Sequence, residues 1–150
     1  MKFALLLPML LSGQTAPVVP QAPSASIDGL PLGAIPRQTL PEHGCAAFLW
    51  SVGLTRALVA MANVEPARLR LLIDGTITDL TRDTQQGAAG FGFAETTAYR
   101  AGTTTATLVM TVAVRSDLKE GASIPQATLR LDRDGKDSVV LPVAGLIGCT

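Results

Sequence analysis

From Glu42 to Cys149 apolar and polar side chains alternate with a period of two, where an amphipathic helix would space them three and four apart. Ala106, Leu108, Met110, Val112 and Val114 interleave with Thr105, Thr107, Val109, Thr111 and Ala113, which predicts a long half-buried strand. Leu69, Leu71 and Ile73 interleave with Arg68, Arg70 and Leu72 and run into Asp74-Gly75, a dipeptide suited to the positive φ angles of a two-residue hairpin turn. That turn sets Leu71 opposite Thr78, Arg70 opposite Asp79 and Leu69 opposite Leu80, so an ion pair and an apolar pair fall on opposite faces.

The device repeats near the carboxyl end. Ala127, Leu129 and Leu131 alternate with Thr128, Arg130 and Asp132, and a three-residue loop at Asp134-Gly135-Lys136 returns the chain toward Val139, Leu141 and Val143. The predicted register pairs Leu131 with Val139 and Leu129 with Leu141, and Pro142, lacking a donor, is expected at a sheet edge or a bulge. Upstream, Cys45 to Val52 and Arg56 to Asn63 read as a first strand pair joined near Gly53, although the second has the propensity to be helical. The expectation is an all-β fold, a single antiparallel β-sandwich or small β-barrel of about seven or eight strands spanning residues 42–150.

The first 41 residues have a different texture. Met1-Lys2 and the apolar run Phe3 to Leu11 have the layout of a signal peptide, with small residues at Ala22 and Ser24 offering a cut, so residues 1–24 are assigned to export. The run is too short to span a bilayer. Leu11-Ser12-Gly13 resembles the start of a bacterial lipoprotein signal, but Gln14 stands where that pattern requires a cysteine to acylate. Prolines at 17, 20, 23, 31, 36 and 41 remove donors and fix φ, so residues 25–41 are expected to be a stiff, disordered linker.

Composition narrows the partners. Twelve basic residues balance twelve acidic ones, and losing Lys2 with the signal leaves eleven against twelve, which disfavours nucleic acid and anionic membranes. Apolar residues make up 47% and charged ones 16%, the balance of a cored domain and not of a disordered polyelectrolyte. Only six residues are aromatic, too few for the girdles of an outer-membrane barrel, so no stable membrane insertion is expected once the signal is removed.

Two cysteines, Cys45 and Cys149, stand at the two ends of the β region, and an oxidising compartment would join them. His43 is the one histidine, so a Ser-His-Asp relay or a two-histidine metal grip has little to draw on, and neither catalytic residues, metal nor cofactor is assigned. Asp132, Asp134 and Asp137 faintly resemble a calcium loop but lack its closing glutamate, and they read better as a solvated hairpin tip. Gly87, Gly90, Phe91, Gly92 and Phe93 form the least ordinary segment. They suit either a candidate binding loop or a bulged strand whose two aromatics are core. Trp50 and Phe48, two apart on one strand, are likewise expected in the core. Three functions stay open: a secreted or periplasmic non-enzymatic module that binds a protein or small ligand or serves as structure, a small inhibitor of exported proteases, and a hydrolase using paired carboxylates.

Overall fold

The computed structural model describes residues 24–150, so the signal-peptide reading and the prolines at 17, 20 and 23 lie outside the described residues. In chain order the strands are β1 (Leu32–Gly33), β2 (Cys45–Ser51), β3 (Leu58–Asn63), β4 (Arg68–Ile73), β5 (Thr76–Gln86), β6 (Thr96–Ala101), β7 (Thr104–Ala113), β8 (Gly121–Arg133) and β9 (Val139–Cys149). From β2 to β9 each strand pairs antiparallel with the next, and β9 pairs back with β2. The result is a closed up-and-down barrel of eight strands, one of the forms expected, with β1 laid on as an extra strand. Arg56 to Asn63 resolves as strand from Leu58 onward, and no described residue is helical.

Both hairpin registers follow from turn chemistry. Leu71 faces Thr78, Arg70 faces Asp79 and Leu69 faces Leu80, with Asp74 and Gly75 both at positive φ in the turn. Leu131 faces Val139 and Leu129 faces Leu141, although the connecting loop is residues 134–138 and not the three residues expected. Three strands carry an extra residue, in β3 near Val59, in β5 near Asp83 and in β8 near Pro125, and such bulges bend strands into a closed wall. The β8 bulge absorbs Pro125 within a fully flanked strand.

Pro142 is not at a sheet edge, because β9 runs between β8 and β2. Its carbonyl accepts from the Val52 N–H at 3.0 Å, so its donor-less nitrogen faces the same side, where β2 has just ended at Ser51. Proline has no N–H to return a bond to Val52, and the β2–β9 ladder ends at that point.

Ala47, Leu49, Ala60, Ala62, Leu69 and Leu71 point inward from β2, β3 and β4 and meet Leu108, Leu129 and Leu131 from the opposite wall. An eight-stranded barrel has an interior just wide enough for side chains to fill or for one small ligand, and here side chains fill it. That width corrects the expectation for Trp50 and Phe48, which sit half-buried on the outer surface while the smaller Ala47 and Leu49 take the core.

The linker reading of residues 25–41 is also corrected. Beyond Leu71, β4 has outrun β3, and β1 fills the gap, pairing Leu32 with Ile73 and Gly33 with Leu72. Ile27 and Leu32 are fully buried in the barrel core, and Ile35 joins a second cluster with Ala46, Met61 and Leu72 on the outer wall. Pro31 and Pro36 flank this strap, where an edge strand needs few donors. The Pro31 carbonyl still accepts from Asp74 N–H at 2.8 Å, and Ile35 N–H donates to Leu58. The strap then crosses β3 and β9, and a Cβ on Gly148 would lie 2.8 Å from Leu40 Cδ2.

Candidate binding surface

The antiparallel order gives the barrel two ends. At one end stand the hairpin turns at 74–75 and 134–138, loop 52–57 and β1; at the other, Cys45 and Cys149, turn 64–67 and loop 87–95. The cysteines face each other in register across β2 and β9 and form the expected disulfide. Seven register pairs close that seam, so the bond joins strands already adjacent.

Ile27 and Leu32 stopper the hairpin end, and loop 87–95 stoppers the other. The loop owes its path to a run of positive φ at Gly87, Gly90, Phe91 and Gly92, a conformation that glycine adopts freely and Phe91 only at a cost. Gly92 is further constrained, because a Cβ there would lie 2.7 Å from Val64 Cγ1. Phe93 N–H donates to the Gly90 carbonyl, and the Phe93 carbonyl accepts in return from the N–H groups of Ala89 and Gly90, a tight turn that carries the Phe93 ring into the core at 7% exposure. Phe91 is half-buried against the same core, while Gly87, Gly90 and Gly92 stay exposed. Thus the two aromatics are spent on the barrel, and backbone, Ala88 and Glu95 remain outward from this loop.

Beyond the loop the chain enters β6, and its wall pairs with β7 only as far as Thr96 opposite Val109. A groove of about 310 Å³ opens there between Ala88, Ala89 and Glu95 on one side and Met110, Thr111 and Val112 on the other. A second hollow, about 240 Å³, lies under the strap between Gln38, Pro41 and Arg68, and a third of about 540 Å³ adjoins it beside His43, Glu42 and Glu65. No local pattern announces the β7 groove in the sequence, because it exists only where one strand outlasts its neighbour.

Five ion pairs join charged side chains among the described residues. Arg70 grips Asp79 through two bonds of 2.7 and 2.8 Å, Arg130 grips Asp132, Arg115 grips Asp117, and Arg133 meets Asp74 at 2.5 Å. The guanidinium partners hold the carboxyls of Asp79, Asp117 and Asp132 below the ordinary carboxylate value, and Ser138 helps at Asp132. A general acid needs a displacement in the other direction. Burial pushes the Tyr99 phenol up, against a smaller opposing pull from Thr97 and Arg82. Ser51 Oγ donates to the Thr55 carbonyl and accepts from Ala57 N–H, which ties loop 52–57 to β2. Among the described residues no group of three or more His, Cys, Asp or Glu is placed to hold a metal ion.

The chain matches no protein-family model, no curated protein and no solved structure.

Proposed function

We propose that this protein is an exported, non-enzymatic barrel module that binds a partner through its outer surface. The observation that carries the reading is the filled interior. Leu, Ile and Ala side chains occupy the space that larger or emptier barrels use for a ligand, and Ile27, Leu32 and Phe93 stopper its ends. The disulfide supports an oxidising compartment. Charged side chains face outward on β4, β5, β6 and β8, which supports an aqueous environment for this barrel and argues against contact with lipid. An inhibitor of exported proteases would insert a projecting loop or arm, whereas Phe93 of the one candidate and Ile27, Leu32 and Ile35 of the other turn inward. Paired carboxylates would need one acid held protonated, and the displaced aspartates shift the opposite way.

The test is titration of the disulfide-bonded protein with a fluorescent fatty acid and with 8-anilinonaphthalene-1-sulfonate. No saturable one-to-one uptake is expected; uptake abolished by Leu108→Trp would place function inside the barrel and overturn the reading. Turnover of any ester, glycoside or peptide substrate that a single carboxylate substitution abolishes would overturn it as well.

A further inference from the structure

At the disulfide end of the barrel β5 and β7 each run past the end of a neighbour and so present backbone with no strand beside it. β4 stops pairing with β5 at Thr81, but β5 continues to Gln86. This stretch carries Arg82, Asp83 and an extra bulged residue, the features by which proteins keep an exposed strand from recruiting another. β6 stops pairing with β7 at Val109, and β7 continues to Ala113. Met110 N–H is taken by the Glu95 carbonyl at 2.9 Å, and from Thr111 onward β7 pairs with β8 alone. Here charge and proline are absent: Val109, Met110, Thr111, Val112 and Ala113 are uncharged and rich in β-branched residues, and the register shift between Thr111 and Ala113 places its extra residue in β8 and not in β7.

Beside this edge lies the groove of about 310 Å³ walled by Ala88 and Ala89, so an added strand would have room for alternate side chains. Val109 is 47% exposed and Val114 77% exposed at its two ends. Glu95 supplies the only charge in the groove and forms no ion pair among the described residues.

We infer that the β7 edge from Met110 to Ala113 binds an extended peptide segment of about four residues by strand addition, with apolar β-branched side chains in the groove and a positive charge beside Glu95. This inference rests on the surface-binding reading and narrows it to one edge and one partner chemistry. Main-chain hydrogen bonds supply the attachment, the Ala88 and Ala89 wall limits side-chain size, and the carboxylate fixes direction.

The experiment follows backbone amide resonances of the ¹⁵N-labelled, disulfide-bonded protein during titration with the hexapeptide Lys-Val-Thr-Val-Thr-Val, capped at its carboxyl end. Shifts are expected at residues 88–96 and 109–114, with slowed hydrogen exchange at Val112, whose N–H faces away from β8 as that of Met110 does. Glu95→Lys, an exposed substitution, should weaken binding at least fivefold while leaving the free spectrum otherwise unchanged. A peptide with proline at alternate positions should bind at least tenfold more weakly. Absence of shifts at millimolar peptide, equal binding of the proline peptide, or concentration-dependent pairing of two copies through these amides in place of the peptide would overturn the proposal. Those outcomes are separate from the fatty-acid titration, since a failed edge leaves the filled interior untouched and a ligand in the interior leaves the edge to be judged on its own shifts.

Discussion

Gly145 shows how closely two strands can approach when one side chain is missing. It pairs with Leu49 on one side and Ile124 on the other, and a Cβ there would lie 1.9 Å from the Phe48 carbonyl oxygen. Backbone cannot yield as a flexible side chain can, so Gly145→Ala should cost about 2–3 kcal/mol by overpacking. Gly135→Ala, at a positive φ of 69° but with open space around it, should cost only about 1 kcal/mol. Urea midpoints at constant m-value distinguish the two, and equal losses would mean that contact at the seam is not what fixes the glycine. Tyr99 offers a second reading at this scale, since it is the one tyrosine in the chain. Burial raises its phenol above the ordinary value, so its contribution to stability is fully present below the unfolded value of about 10 and is lost as pH rises through the folded one. The tyrosinate absorbance should therefore appear at higher pH in buffer than in denaturant; coincident midpoints would contradict a buried phenol.

Among elements, the β4–β5 hairpin couples an electrostatic pair to a register. Asp79 is held below its usual value by Arg70, so the stability it adds is present above about pH 4 and disappears as the pH falls through the depressed folded value. Both side chains are more than a third exposed, 42% for Arg70 and 34% for Asp79, and solvent screens them to the order of 0.5 kcal/mol. Asp79→Asn should thus lower stability by about that much at pH 7 and by nothing near pH 2, as read from paired urea titrations. The strap matters more: Leu32→Ala should cost about 2–4 kcal/mol because the removed side chain is fully buried in the core. A loss below 1 kcal/mol in the same titration would mean that the strap is detached in solution. These two elements also mark what the sequence discloses and what it hides. The Asp74-Gly75 turn and its flanking alternation dictate the Leu69 to Leu80 pairing locally, so it was readable. The place of Leu32 depends on β4 outrunning β3 after residue 71, which no local pattern records. Alternation likewise divides Phe48 and Trp50 from Ala47 and Leu49 but does not say which pair faces in; barrel width decides that. For the candidate site, the glycine and aromatic composition of 87–93 was conspicuous, yet the open β7 edge arises from strand lengths set far apart in the chain.

For the whole molecule, closure and the cystine act on the same seam. The bond joins residues 104 apart, and in the chain-entropy picture a loop of that length stabilises by about 4–5 kcal/mol. The double substitution of Cys45→Ser and Cys149→Ser should lose most of that, measured by thermal unfolding against the oxidised protein. The β2–β9 ladder, with seven register pairs, should nevertheless keep the barrel closed in the cold. A double variant with no cooperative transition would show that the covalent bond and not the ladder completes the wall.

The seam also imposes a timetable. β2 is the earliest barrel strand to leave a ribosome or emerge from a translocation pore, and the strand that must cover its far side is β9, the last. Until the eleven residues of β9 arrive, the growing chain can zip successive hairpins but cannot become a cylinder. Vectorial delivery alone therefore postpones closure until the last barrel strand has been delivered.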